Sequence, residues 1–152
     1  MGFFRNTLAV AVGLLVAYLI ISLGIRLNPS WVNDDSVSPF KHWEHVLKSV
    51  RHQPYFFIAL LISSGIGSTI GGVVTAIIVK YAKVAYAILI GFILLFVAML
   101  DVIIFPYHPT FYKICIFLTF FPFSWIGGKI VEVIYERKRK QKLREKQKKK
   151  AQ

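Results

Sequence analysis

Apolar residues run almost without interruption through four stretches of this chain, residues 7–25, 54–79, 84–105 and 111–130, and polar residues cluster between and after them. A helix crossing a bilayer needs about 20 mostly apolar residues, and each stretch meets that length. The pattern predicts an all-α integral membrane four-helix bundle. Between the first two spans it changes. "NPSWVNDDSVSPF" is rich in turn formers, and Ser38-Pro39 reads as an N-cap followed by proline in the first turn. Over residues 39–51, Phe40, Trp43, Leu47 and Val50 then recur at helical spacing among polar neighbours. That is a short amphipathic helix, stopped at Gln53-Pro54. Its apolar stripe fits either the membrane surface or the end of the bundle.

The second span is unlike the others. In "SSGIGSTIGGVVTA", residues Ser64, Gly67, Ser68, Gly71, Gly72, Thr75 and Ala76 fall on one stripe, while Ile66, Ile70, Val73 and Ile77 take the other side. Lipid tails are as apolar as leucine, so burial of apolar surface cannot join helices in a bilayer. Close backbone contact can, and small side chains permit it. The strip therefore predicts a helix-packing interface. Its partner is either another span of the same chain, a second copy, or another membrane protein. A pore lining lacks the charged rings or carbonyl filter that would accompany it.

Composition supports this reading. Hydrophobic residues make up 56% of the 152-residue chain and its mean hydropathy is +0.60, which leaves little sequence for a soluble domain. The net charge is +12, and ten of the 19 Lys and Arg fall in residues 137–152. The chain divides into a four-span membrane domain, residues 1–136, and a basic tail. Because Lys and Arg collect on the cytoplasmic side, the tail places the C-terminus in the cytoplasm, and an even number of spans returns the N-terminus there. The apolar N-terminal run is long for a signal peptide and lacks a small-residue cleavage site, so it reads as a retained span. Arg137, Lys138, Arg139, Lys140, Lys142 and Arg144 are expected to meet anionic headgroups or an acidic partner. No aromatic residues interleave with them, which disfavours nucleic acid.

Charges within spans are costly and mark candidate sites. Asp101 and Lys113 lie at matching depths on either side of the turn "PYHP", about 6–8 Å from it at 1.5 Å per residue. They are expected to form an intramembrane ion pair. The sharper alternative makes Asp101 a proton or cation site, with His108 as relay. Four histidines, one cysteine and seven acids show no metal-binding spacing, and no nucleophile–base pair or phosphate loop is present. Neither metal nor cofactor is expected. The sequence thus points to a non-enzymatic scaffold or accessory subunit that packs on a partner through the second span. The alternative is a small proton- or cation-coupled transporter or channel using Asp101.

Overall fold

The computed structural model describes residues 2–26 and 39–150. The turn-rich segment with Ser38, and the side chains of Phe40 and His42, lie outside that description. The chain is all-helical, with α1 at Gly2–Ile25, α2 at Pro39–Val50, α3 at Pro54–Ile78, α4 at Lys83–Ile104 and α5 at Thr110–Lys150. Helices α1, α3, α4 and α5 are each long and apolar enough to cross a membrane, as in an integral membrane protein. The amphipathic α2 lies between the first two spans. Large apolar side chains such as Leu15, Ile62, Phe96 and Leu118 point outward, as suits a chain whose surrounding medium is hydrocarbon.

Local chemistry sets the helix boundaries. Pro39 and Pro54 open α2 and α3, where a missing N–H leaves no hydrogen bond unmade and the fixed φ already suits a helix. After α3, Ala82 turns the chain in the left-handed region at φ 51°. Lys83 then reaches back, its Nζ donating to the carbonyls of Ala76 at 2.8 Å and Val79 at 2.7 Å. A cation is favoured where the last carbonyls of a helix lack partners. Lys83 therefore caps the end of α3.

Helix α3 is the centre of the bundle. It packs along α1 on one side and α5 on another, with α4 completing the second contact. All seven residues of the predicted strip are buried. A Cβ on Gly71 would stand 2.7 Å from the carbonyl oxygen of Gly13 in α1, and one on Gly72 would stand 2.9 Å from that of Ser124 in α5. The polar members of the strip bind across the same contacts. Thr75 donates to the Ala9 carbonyl at 3.2 Å, and Ser68 to the Phe120 carbonyl at 3.1 Å. Next to the strip, Thr69 donates to the Phe123 carbonyl at 3.2 Å. The strip is thus filled from within the chain. Of the partners the strip allowed, spans of the same chain occupy it here. The neighbours are small in turn: Ala9 and Ala17 of α1 and Ser124 of α5 are fully buried, and Gly127 of α5 lies against the Thr69 carbonyl.

At the far end from the tail, α2 caps the bundle. Val46, Leu47 and Val50 are buried with Phe56, Phe57, Leu60, Phe105 and Tyr112 in one cluster. Of the two positions its stripe allowed, α2 takes the one against protein. Its outer side is pinned by Glu44, which lies 2.7 Å from Lys48 and accepts from the Tyr107 hydroxyl at 3.4 Å. The Lys48 ammonium holds the Glu44 carboxyl below its ordinary value. In the other direction, α5 continues past the apolar span to Lys150, passing Pro122 without ending. The expected domain boundary at residue 137 falls inside this helix, and Arg137 to Arg144 are exposed along it.

Gly71→Leu is expected to destabilise the bundle by at least about 1–3 kcal/mol, the usual cost of overpacking. Ile66→Leu, on the outward side of the same helix, should change stability by less than about 0.5 kcal/mol. Thermal melts followed by circular dichroism in mild detergent compare the two.

Candidate functional site

The helices do not pack with equal closeness along their length. At the tail end, α1 and α4 are tied by Asn6, which donates to the Tyr86 hydroxyl at 2.9 Å, and by contact between Gly13 and Ile90. Elsewhere these two helices barely touch. At the cap end they part, leaving a groove of about 550 Å³. Ile21 and Ser22 of α1 form one wall, and Leu94, Val97 and Ala98 of α4 the other. Leu60 and Ser64 of α3, with Phe120 of α5, form the floor. Arg26, Trp43 and Asp101 stand at the cap end of the groove. The lining is mostly apolar and its two charged groups sit at one end, a common arrangement in small-molecule sites, whose volumes run from about 300 to 1,000 Å³.

Asp101 is the polar centre. Trp43 Nε1–H donates to its Oδ1 at 2.7 Å, and His108 Nε2 stands 3.0 Å from its Oδ2. The predicted pairing with Lys113 is corrected: among the described residues no carboxylate pairs with Lys113, and Asp101 is held by His108 and Trp43 instead. The reason lies in the rotation of α5. Its inward stripe is Tyr112, Ile116 and Phe120, and Lys113, one residue on from Tyr112, is turned about 100° away from that stripe. Depth along the axis matched, but direction did not.

His108 is fixed from several sides. Its side chain is fully buried. Its ring stacks on Tyr112 with centroids 5.1 Å apart and meets Phe57 edge-on at 5.8 Å. Nδ1 lies 2.8 Å from the Phe105 carbonyl. A carbonyl only accepts, so Nδ1 carries the hydrogen. Nε2 meets Asp101 at ion-pair distance, though without the alignment of a hydrogen bond. The contact links α2, α4, the turn and α5 in one polar knot beside the groove.

Of the residues marked from sequence, Asp101 and His108 come together here. Ser64 reaches the groove floor, while Gly67, Ser68, Gly71, Gly72, Thr75 and Ala76 serve the helix crossings. The basic residues Arg137, Lys138, Arg139, Lys140, Lys142 and Arg144 are remote, on the exposed end of α5. Sequence reasoning missed Arg26 and Trp43 as site members. Trp43 had a visible signal, since it lies on the apolar stripe of α2 and carries an N–H that needs an acceptor when buried. Arg26 had only its position at the end of the first span.

The fold and the groove define a small multi-pass helical membrane protein with a laterally placed, half-open site. Comparison with protein-family models, with curated proteins and with solved structures gave no match.

Trp43→Phe keeps the ring and removes the donor to Asp101. It should cost about 1.5–3 kcal/mol, the value of a hydrogen bond to a charged group. In a double-mutant cycle with Asp101→Ala, read by chemical unfolding in mixed micelles, the two losses should fall short of additivity by about 0.5–3 kcal/mol.

Proposed function

We propose that this chain is a non-enzymatic membrane protein that binds a lipid-like amphiphile in the groove between α1 and α4. The observation that carries the reading is the uneven packing of those two helices. They are tied at the tail end and parted at the cap end, around an apolar space of about 550 Å³ with charged groups at its mouth. An amphiphile has the same division. Its chain would lie along Ile21, Leu94 and Val97, and its head would reach Arg26, Trp43 and Asp101.

Orientation follows from the positive-inside rule. With the basic end of α5 in the cytoplasm, the groove faces the opposite leaflet and α2 lies outside the bilayer. A ligand would then enter sideways from the lipid. The close crossing of α3 with α5, and the packing of α1 on α3 from Gly13 to Gly24, support binding in one leaflet over passage across the membrane. The transporter alternative keeps the same acid, Asp101, and would need those crossings to part. The accessory role also changes in form. A partner protein would have to use an outward face of the bundle or the basic end of α5, where anionic headgroups would also gather.

Filling the groove tests the reading. Ala98 lines it and is only half-buried. Ala98→Trp should lower the affinity for a fluorescent single-chain lipid by about tenfold or more, equivalent to about 1.4 kcal/mol. The melting temperature should change little. Unaltered binding in this variant, or no saturable binding by the wild type in nanodiscs, would refute the proposal.

A further inference from the structure

We infer that the groove selects an amphiphile with an anionic phosphate head, held by Arg26 next to an Asp101–His108 pair that retains one proton. The inference rests on the binding role proposed above and names the ligand's head.

It comes from counting charge at the groove mouth. Asp101 has both oxygens engaged, Oδ1 by Trp43 Nε1–H and Oδ2 by the approach of His108 Nε2 at 3.0 Å. The hydrogen on His108 Nδ1 is committed to the Phe105 carbonyl at 2.8 Å. A neutral ring would then turn the bare lone pair of Nε2 towards a carboxylate. Two acceptors 3.0 Å apart in a buried place repel, and Nε2 has no other partner. One proton shared by the pair removes that conflict. It sits as imidazolium with carboxylate, or as imidazole with carboxylic acid. In both forms the pair is electrically neutral.

Arg26 is then the uncompensated charge among the groove's lining groups. It is exposed at the end of α1, and among the described residues no carboxylate pairs with it. A guanidinium beside an apolar groove matches a phosphate in charge and in its forked donor geometry. The other side chains against the pair are aromatic: Trp43 from α2, Phe57 from α3 and Tyr112 from α5. Loss of the shared proton would therefore place one negative charge in the mouth beside the ligand's own.

The test uses the full chain in nanodiscs and two probes with the same acyl chain. One is lysophosphatidylglycerol, whose phosphodiester stays anionic across the neutral range, and the other is the uncharged monoacylglycerol. The wild type should bind the first about tenfold more tightly, and Arg26→Gln should reduce the ratio to near one. His108→Gln, which cannot hold the extra proton, should bind the anionic probe more weakly than the wild type does. Inorganic phosphate should fail to compete, which separates a lipid head from a free ion. Equal affinity for the two probes, an unaltered ratio in Arg26→Gln with the fold intact by melting, or effective competition by phosphate would overturn the inference alone. Failure of both probes to bind would instead overturn the binding role on which it rests.

Discussion

The structure depends on how closely the backbone of α3 approaches those of α1 and α5. In water, two helices would be pressed together by the apolar surface they hide. In hydrocarbon that force is absent, and association must come from contact, hydrogen bonds and the entropy of displaced lipid. Gly71 lies so near the Gly13 carbonyl, and Gly72 so near that of Ser124, that a methyl group on either would collide. At this separation a serine or threonine hydroxyl can reach a carbonyl on the next helix. Ser68, Thr69 and Thr75 each do so. The small residues and the hydroxyls are therefore one device: the first bring the backbones close, and the second use the short distance. Each hydroxyl is also satisfied, which matters in a medium with no water to replace a missing partner.

A bundle held at one level can open at another. The tight contacts of α1 on α3 run from Gly13 against Gly71 to Gly24 against Ser63, whereas α1 and α4 are tied to each other near the tail, by Asn6 and Tyr86. Towards the cap the lining side chains grow and the strip of α3 gives way to Leu60, Phe57 and Phe56. The bundle there is filled by aromatic rings on the α5 side and left open between α1 and α4. Helix α2 closes the top of the filled part and delivers Trp43 to the edge of the open one. The groove thus follows in part from where bulk is placed along α3.

Much of this was legible in the sequence, and the boundary of legibility is physical. The four spans follow from apolar length, and the period of α2 from the spacing of Trp43, Leu47 and Val50. The strip on α3 follows from a repeat of three and four. These are one-dimensional signals. Which helix meets the strip is a question of arrangement, and small residues invite any backbone equally. The partner of Asp101 failed for a related reason. Rise per residue gives depth, but the rotation of one helix against another decides which side chain faces across. Lys113 had the depth of Asp101 and the wrong azimuth, while His108, in the turn, was drawn inward by its stacking on Tyr112. The extent of α5 was also hidden, because a lysine-rich segment reads alike as solvated helix or as coil.

The polar knot at the cap shows why an acid is tolerated near a membrane span. Asp101 is only a quarter exposed, and an isolated carboxylate there would be costly to desolvate. Its environment meets that cost through an indole N–H and a proton-bearing imidazole, each delivered by a different element. These groups are already arranged around the acid, and little freedom is left to freeze when a ligand arrives. Had Lys113 been its partner, the site would be a closed salt bridge within the α4–α5 hairpin, with no link to α2. Because the partner is a histidine in the turn, stacked on Tyr112 and with its second nitrogen on a carbonyl, the acid is tied at once to α2, the turn and α5.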